Sequence, residues 1–111
     1  GVLSNKTEKT AVRIINHFFP SSPFQLVWGN NGQRPLKPDP TAGKLLCEEL
    51  GVLPDELMYV GDGDTDMEFA SRNGFFAAGV TWGYRDRDVL TSCGANALVS
   101  SAGQLLKLLG L

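Results

Sequence analysis

Three polar stretches of the sequence carry residue types that bind phosphate groups and divalent cations. Ser4, Asn5 and Lys6 follow an apolar pair, and three aspartates follow the apolar run 57–60. Lys37 lies in a loop just before a predicted helix. A hydroxyl, neighbouring backbone N–H groups and an ammonium can hold phosphate oxygens, while carboxylates can hold a cation that neutralises them. The combination predicts chemistry on a phosphate group.

The acidic stretch is the strongest of these signals, and it has two simpler interpretations. Asp62, Asp64 and Asp66 have the spacing that opens a calcium loop, but Met67 and Asn73 stand where that loop needs Gly and Glu. A solvated turn that caps the next helix is the plain alternative for Asp62 and Asp66. We expect Asp64 to be the residue that caps this helix, and the other two to be well placed for a metal.

Other residues have ordinary interpretations when each is taken singly. A loop lysine such as Lys37 is usually only solvated, although Pro38 and Pro40 stiffen the chain around it. We expect His17 to lie on a helix face, the two tryptophans to pack, and residues 85–88 to begin a charged helix.

Five short apolar runs alternate with segments of helical spacing, which is typical of a parallel sheet with helices on both faces. The predicted strands comprise residues 2–3, 25–28, 57–60, 75–80 and 97–99. Ligands of open α/β sheets bind at the carboxyl ends of the strands, and the polar stretches follow such ends. The long loop at residues 29–40 is also of a kind that is more often functional than idle.

Local signals predict where two helices begin and end. Asp39 and Pro40 suit the cap and the first position of a helix that Gly51 ends. Ser101 and Gln104 have the spacing of a capping box at the start of the last helix.

Length and composition limit the possible function classes. The 111 residues suit a single domain, and their net charge of -2 gives no positive surface for nucleic acid or an anionic membrane. No apolar run approaches the roughly 20 residues of a membrane span. Cys47 and Cys93 lie outside any metal or redox motif. We therefore expect idle thiols in a reducing compartment and a cytoplasmic protein.

In chain order, the polar stretches resemble the second, third and fourth motifs of the haloacid dehalogenase (HAD) superfamily. The matching segments are Val2-Leu3-Ser4-Asn5-Lys6, Lys37-Pro38-Asp39-Pro40 and Tyr59-Val60-Gly61-Asp62-Gly63-Asp64-Thr65-Asp66. Trp82-Gly83-Tyr84-Arg85, Gly94-Ala95-Asn96-Ala97 and the leucine-rich tail are similar to its phosphoglycolate phosphatase branch. The resemblance covers nearly the whole chain. It implies an α/β fold with a Rossmann-like parallel sheet and helices on both faces.

The resemblance also implies a role for each candidate residue. Ser4 and the backbone of Asn5 would bind a phosphoryl oxygen, and Lys37 would neutralise charge on the phosphoryl group and the nucleophile. Asp62 would coordinate Mg²⁺, while Asp66 would act on the metal, directly or through a water, or orient Lys37 for catalysis. The implied reaction is Mg²⁺-dependent hydrolysis of a small phosphorylated metabolite, in which an aspartate forms an aspartyl-phosphate that water hydrolyses.

The sequence departs from the superfamily at its first motif, D-x-D-G-T, which supplies the nucleophile. That motif and the cap domain that follows it are absent, so residues 1–111 resemble the carboxyl-terminal portion of a HAD core domain, begun within its second strand. In the family the nucleophile strand lies between the strands that end at Ser4 and Asp62. Without that strand, two inner edges of the sheet would be unpaired and apolar surface would be exposed. We therefore expect the chain to be inactive by itself, and to be stable only with the amino-terminal half of the same protein bound or with another chain in the gap.

Two other function classes stay open at this point. A receiver-like signalling module could also bind Mg²⁺ and phosphate, although its lysine should follow the acceptor aspartate, whereas Lys37 precedes Asp62. A pseudoenzyme that lost the first motif could persist as an interaction module. We expect no nucleic acid or membrane partner in either case.

Overall fold

The computed structural model describes all 111 residues, Gly1–Leu111. Five strands and five α-helices alternate along the chain, which confirms the predicted α/β class. The chain divides into two compact units, Gly1–Leu36 and Lys37–Leu111. No helix combines the length and the apolar character that crossing a membrane requires.

The first unit is a strand–helix–strand crossover. Its elements are β1 (Val2–Thr7), α1 (Glu8–Phe18) and β2 (Val27–Asn30). The two strands pair in parallel, which requires a crossover connection such as α1. Ala11 of α1 and Leu26 are the buried apolar side chains of this unit.

The pairing of β1 with β2 is irregular at the polar stretch after Leu3. Leu3 lies opposite Trp28 and Thr7 lies opposite Asn30, so four steps along β1 correspond to two along β2. The extra residues form a bulge, a feature that redirects side chains and is common beside functional sites. The first strand is therefore longer than predicted, and Ser4 lies within β1 rather than after its end.

The loop after β2 is held in place by Arg34. Its Nη2 donates to Glu8 Oε1 at 3.0 Å and to the Gly29 carbonyl at 3.1 Å. Its guanidinium lies 4.5 Å from the centroid of the Trp28 ring, within the range of a cation–π contact. The end of the first unit is thus ordered by charge and stacking rather than by backbone pairing.

The second unit is built on a three-stranded parallel sheet in the order β3-β4-β5. Its elements are α2 (Thr41–Leu50), a 3-10 turn (Pro54–Glu56), β3 (Met58–Gly61), α3 (Asp64–Asn73), β4 (Phe76–Val80), α4 (Arg87–Ser92), β5 (Ala97–Val99) and α5 (Ala102–Leu108). The last four residues of the central strand β4 are buried, as expected of a parallel strand flanked by helices. All five predicted strands are present; the boundaries of the first four are shifted, and those of β5 are as predicted.

An aromatic cluster packs α3 against this sheet. Met67 and Phe69 of α3 are fully buried, and the Phe69 ring lies edge-on to Phe75, with 6.1 Å between centroids. Tyr59 of β3 completes the cluster, 5.0 Å from Phe69. Aromatic pairs at such distances add to the stability that burial supplies. The cluster also fixes the ring of Tyr59 beside the start of α3.

The predicted ends of α2 are largely confirmed. Gly51 has φ 67°, a left-handed conformation that suits glycine, and its N–H bonds to the last turn. The Thr41 N–H donates to Asp39 Oδ1 at 2.9 Å. The helix begins at Thr41, one residue later than predicted, because Pro40 occupies the cap position.

The capping box of the last helix is only half as predicted. Ser101 Oγ accepts the Gln104 N–H at 3.2 Å, as expected of an N-cap. The Gln104 side chain, however, accepts the N–H of Ser100 at 2.7 Å instead of that of Ser101. The reciprocal bond is therefore displaced by one residue.

Candidate active site

A buried ion pair joins the loop before α2 to the first turn of α3. Lys37 Nζ donates to Asp66 Oδ1 at 2.8 Å and to the hydroxyl oxygen of Tyr59 at 3.0 Å. The side chains of Lys37 and Asp66 are only 10% and 13% exposed. The structure therefore brings together the two residues for which the sequence predicts a catalytic role.

The surroundings keep Lys37 charged. Burial lowers the pKa of the Lys37 ammonium, but its interactions with Tyr59 and Asp66 outweigh burial, and the pKa lies above its ordinary value. Burial raises the pKa of the Tyr59 hydroxyl, and Lys37 opposes this only in part. At neutral pH the site therefore holds a positive ammonium beside a neutral phenol, and this ammonium suits a phosphoryl group that gains charge.

The second oxygen of Asp66 holds the turn between β3 and α3. Asp66 Oδ2 accepts the N–H of Asp62 at 3.3 Å and that of Gly63 at 3.2 Å, which satisfies backbone donors at the start of the helix. The prediction that Asp64 caps this helix is wrong. Asp64 is the first residue of α3, and its Oδ1 accepts from Arg85 Nε at 3.1 Å.

Close packing at the end of β3 leaves no space for a side chain on Gly61. A Cβ built on Gly61 would collide with Cβ and Cγ of Asp66. The backbone conformation of Gly61 is not left-handed, so the requirement for glycine is one of space. The position of Asp66, and with it that of Lys37, depends on this contact.

The Asp62 carboxylate lies against the turn that follows β4. Tyr84 N donates to Asp62 Oδ2 at 3.0 Å, and Arg85 N donates to the Asp62 carbonyl at 3.0 Å. No hydrogen bond or ion pair from the chain reaches Asp62 Oδ1. One oxygen of this carboxylate is therefore fixed by the backbone, and the other is available to a ligand.

These contacts suit Asp62 to Mg²⁺ better than they suit Asp66. Mg²⁺ takes oxygen ligands, commonly one or two carboxylates together with water and substrate oxygens. Asp62 has an oxygen to offer, whereas both oxygens of Asp66 already have partners within the chain. No group of three acidic, histidine or cysteine side chains could hold a metal by itself. The predicted part of Asp66 in metal binding stays a prediction.

The predicted phosphate-binding residues Ser4 and Asn5 lie in the first unit, at the bulge of β1. Ser4 is half-buried, and its Oγ accepts the N–H of Lys6 at 3.1 Å. Gly29 faces this stretch, and a Cβ built on it would collide with the Lys6 carbonyl oxygen and the Glu8 backbone. Their role in holding phosphate stays a prediction.

Sequence reasoning missed two contributors to the site. The sequence presents Tyr59 only as part of an apolar strand, yet its hydroxyl holds Lys37. The available signal is the two-residue period of a strand, which places Tyr59 and Gly61 on one face. Arg85, expected only near the start of α4, reaches Asp64.

Trp82, expected to pack, is 57% exposed.

Lys37 in the loop before α2, and Asp62 and Asp66 at the junction of β3 with α3, belong to the motifs by which the sequence resembles the HAD superfamily. Residues 1–80 match the haloacid dehalogenase-like hydrolase family, and the chain belongs to that family. This membership decides against the receiver-like alternative.

Curated relatives narrow the similarity further. The chain is 27% identical to a phosphoglycolate phosphatase of Salmonella typhi and 26% identical to one of Escherichia coli strain K12, in both cases over all 111 residues. It spans 44% of the length of each of these relatives.

Solved structures agree with this fold. A candidate phosphoglycolate phosphatase from Lactobacillus delbrueckii subsp. bulgaricus superimposes with a TM-score of 0.87 at 29% identity, over 96% of this chain and 44% of that one. A β-phosphoglucomutase from Clostridium difficile gives a TM-score of 0.77 at 21% identity, over 97% of this chain and 46% of that one. The second likeness concerns the fold alone.

Proposed function

We propose that the protein containing this chain is a Mg²⁺-dependent phosphomonoester hydrolase, similar to the phosphoglycolate phosphatases, that acts on a small phosphorylated metabolite. The buried Lys37–Asp66 ion pair, with 2.8 Å between Nζ and Oδ1, carries the proposal. In a member of a hydrolase family, such a pair provides a fixed positive charge for a phosphoryl group.

Each candidate residue has one task in this proposal. Lys37 neutralises charge on the phosphoryl group and on the attacking carboxylate, and Asp66 holds its ammonium in position. Ser4 and the Asn5 backbone donate hydrogen bonds to a phosphoryl oxygen. Asp62 would hold Mg²⁺, which supplies further neutralisation of the phosphoryl oxygens when it is bound.

The nucleophile is proposed to come from outside these 111 residues. No D-x-D-G-T motif occurs in the sequence, and the chain spans 44% of its curated relatives. An aspartate from the amino-terminal half of the same protein would attack phosphorus and form an aspartyl-phosphate for water to hydrolyse. Residues 1–111 would then be inactive by themselves. The free thiols of Cys47 and Cys93 agree with the predicted location in the cytoplasm.

The test measures hydrolysis of p-nitrophenyl phosphate and 2-phosphoglycolate by the longest natural form of the protein that contains this chain, over a range of Mg²⁺ concentrations. Lys37→Ala should lower kcat/KM by about 100-fold, because it removes the charge that stabilises the transition state. Asp62→Asn should raise the Mg²⁺ concentration for half-maximal activity by about tenfold or more.

Matched controls use exposed residues of the same types. Lys44→Ala and Asp88→Asn change exposed residues of α2 and α4. They should leave kcat/KM and the Mg²⁺ concentration for half-maximal activity within about twofold of the wild type. Unchanged kinetics in Lys37→Ala and Asp62→Asn would contradict the assigned roles. A wild-type protein that binds Mg²⁺ and phosphate without turnover would favour the pseudoenzyme.

A further inference from the structure

The turn between β4 and α4 contacts Asp62 and Asp64, two of the three aspartates between the end of β3 and the first turn of α3. Tyr84 N donates to the Asp62 carboxylate and Arg85 N to the Asp62 carbonyl, each at 3.0 Å. Arg85 Nε donates to Asp64 Oδ1 at 3.1 Å. The guanidinium of Arg85 also lies 4.2 Å from the centroid of the Tyr84 ring. Backbone and side-chain bonds therefore tie this turn to the acidic stretch on either side of Gly63.

Gly83 is the point of closest approach between the two segments. A Cβ built on Gly83 would collide with Cβ and Oδ2 of Asp62, and the three nearest heavy atoms all belong to the Asp62 side chain. Gly83 does not have a positive φ. Alanine can therefore adopt its backbone conformation, and the obstacle to a larger residue is Asp62 itself.

We propose that Gly83 is a positioning residue for the divalent cation, because it lets the backbone of the 83–85 turn clamp the Asp62 carboxylate. The proposal rests on the role of Asp62 in the proposed function and extends it to a residue that would not touch the metal. The clamp holds Oδ2 on Tyr84 N, so that the carboxylate keeps one orientation and presents Oδ1. Hydrogen bonds that orient a metal ligand typically change metal affinity by about ten- to 100-fold.

Calorimetric titration of Mg²⁺ into the longest natural form of the protein tests the proposal without reference to turnover. Gly83→Ala should raise the Mg²⁺ dissociation constant by about tenfold or more. Gly103→Ala is the matched control, since a Cβ on Gly103 meets only Ser101 Oγ at 3.8 Å. The Mg²⁺ affinity of this variant should equal that of the wild type. Circular dichroism and the Tm without Mg²⁺ show whether each variant is folded.

A folded Gly83→Ala variant with wild-type Mg²⁺ affinity overturns the proposal, even if its Tm falls. An equal loss of affinity in Gly103→Ala overturns it too, since the effect would not depend on the clamp. A wild-type protein that binds no Mg²⁺ overturns the inference together with the metal role of Asp62. By contrast, wild-type binding with no effect of Gly83→Ala leaves the proposed function intact.

A second variant decides the matter if Gly83→Ala does not fold. The Asp62→Gly/Gly83→Ala double variant lacks the atoms that the new methyl group would meet. Recovery of the native circular dichroism spectrum in the double variant supports the contact as the cause of misfolding. Failure to recover shows that Gly83 serves another purpose and overturns the proposal.

Discussion

Asp66 bonds to the chain with both carboxylate oxygens. Oδ1 accepts from Lys37, while Oδ2 accepts two backbone N–H groups at the start of α3. One residue thus joins a helix terminus to the ammonium that the proposed function requires. Because charge-assisted hydrogen bonds are stronger than neutral ones, the loss of either partner should affect stability as well as catalysis.

Lys37→Met tests the contribution of the ion pair to stability. The variant keeps an apolar stem but leaves Asp66 Oδ1 without its ammonium, so the free energy of unfolding should fall by about 1 to 3 kcal/mol at neutral pH. Urea denaturation followed by circular dichroism measures this difference. Lys44→Met, at an exposed position, is the control and should change the free energy of unfolding by less than about 0.5 kcal/mol.

The stability difference between the wild type and Lys37→Met should also depend on pH. The pKa of folded Lys37 lies above its ordinary value of 10.5, so folding favours the protonated form. This stabilisation is complete below the unfolded-state pKa and is lost as the pH rises through the folded-state pKa. The stability difference between wild type and Lys37→Met should stay constant from about pH 7 to 10 and shrink above that. A stability difference that already shrinks below about pH 9 would contradict a raised pKa of Lys37.

At the scale of elements, the junction of β3 with α3 is the most constrained part of the second unit. β3 ends at Gly61, and α3 starts three residues later at Asp64. Asp66 folds back over this short connection and occupies the space beside Gly61. The junction therefore combines close packing with helix capping.

Gly61→Ala should destabilise this junction. The added methyl group must displace Asp66 or the strand, and such overpacking typically costs about 1 to 3 kcal/mol. Urea unfolding should detect the loss, whereas Gly103→Ala in α5 should be neutral or slightly stabilising. A Gly61→Ala variant as stable as the wild type would mean that the space beside Asp66 is larger than the structure indicates.

The elements were predictable where their signals are local. Apolar runs identified all five strands, and Gly51 and Ser101 marked helix ends through their own conformation and hydrogen bonds. The bulge at Ser4 was not predictable, because it depends on the register with β2. The capping role of Asp66 was considered only as the plain alternative, and Asp64 was favoured as the cap, for a related reason. Capping patterns favour a residue at the very start of a helix. Asp66 is instead the third residue of α3, and its carboxylate reaches back to the backbone before the helix.

At the scale of the whole molecule, we propose that the chain supplies one part of a catalytic apparatus. It belongs to the haloacid dehalogenase-like hydrolase family and spans 44% of its curated relatives. The resemblance to the HAD superfamily implied contact between Asp66 and Lys37 as one of the alternatives for Asp66, and the structure shows that contact. Single positions could not predict the contributions of Tyr59 or the 83–85 turn. Those side-chain contacts join residues that are 21 or 22 positions apart in the sequence. Strand periodicity can place Tyr59 on one face of the sheet, but it does not show which residue meets it there.

The most direct test of the account is p-nitrophenyl phosphate turnover by residues 1–111, with Mg²⁺, before and after addition of the proposed amino-terminal half of the protein. The account predicts no turnover above background for the 111 residues and Mg²⁺-dependent turnover once that half is present. Turnover by the 111 residues at rates usual for enzymes, about 1 per second or faster, would contradict it, because the nucleophile would then lie within this chain.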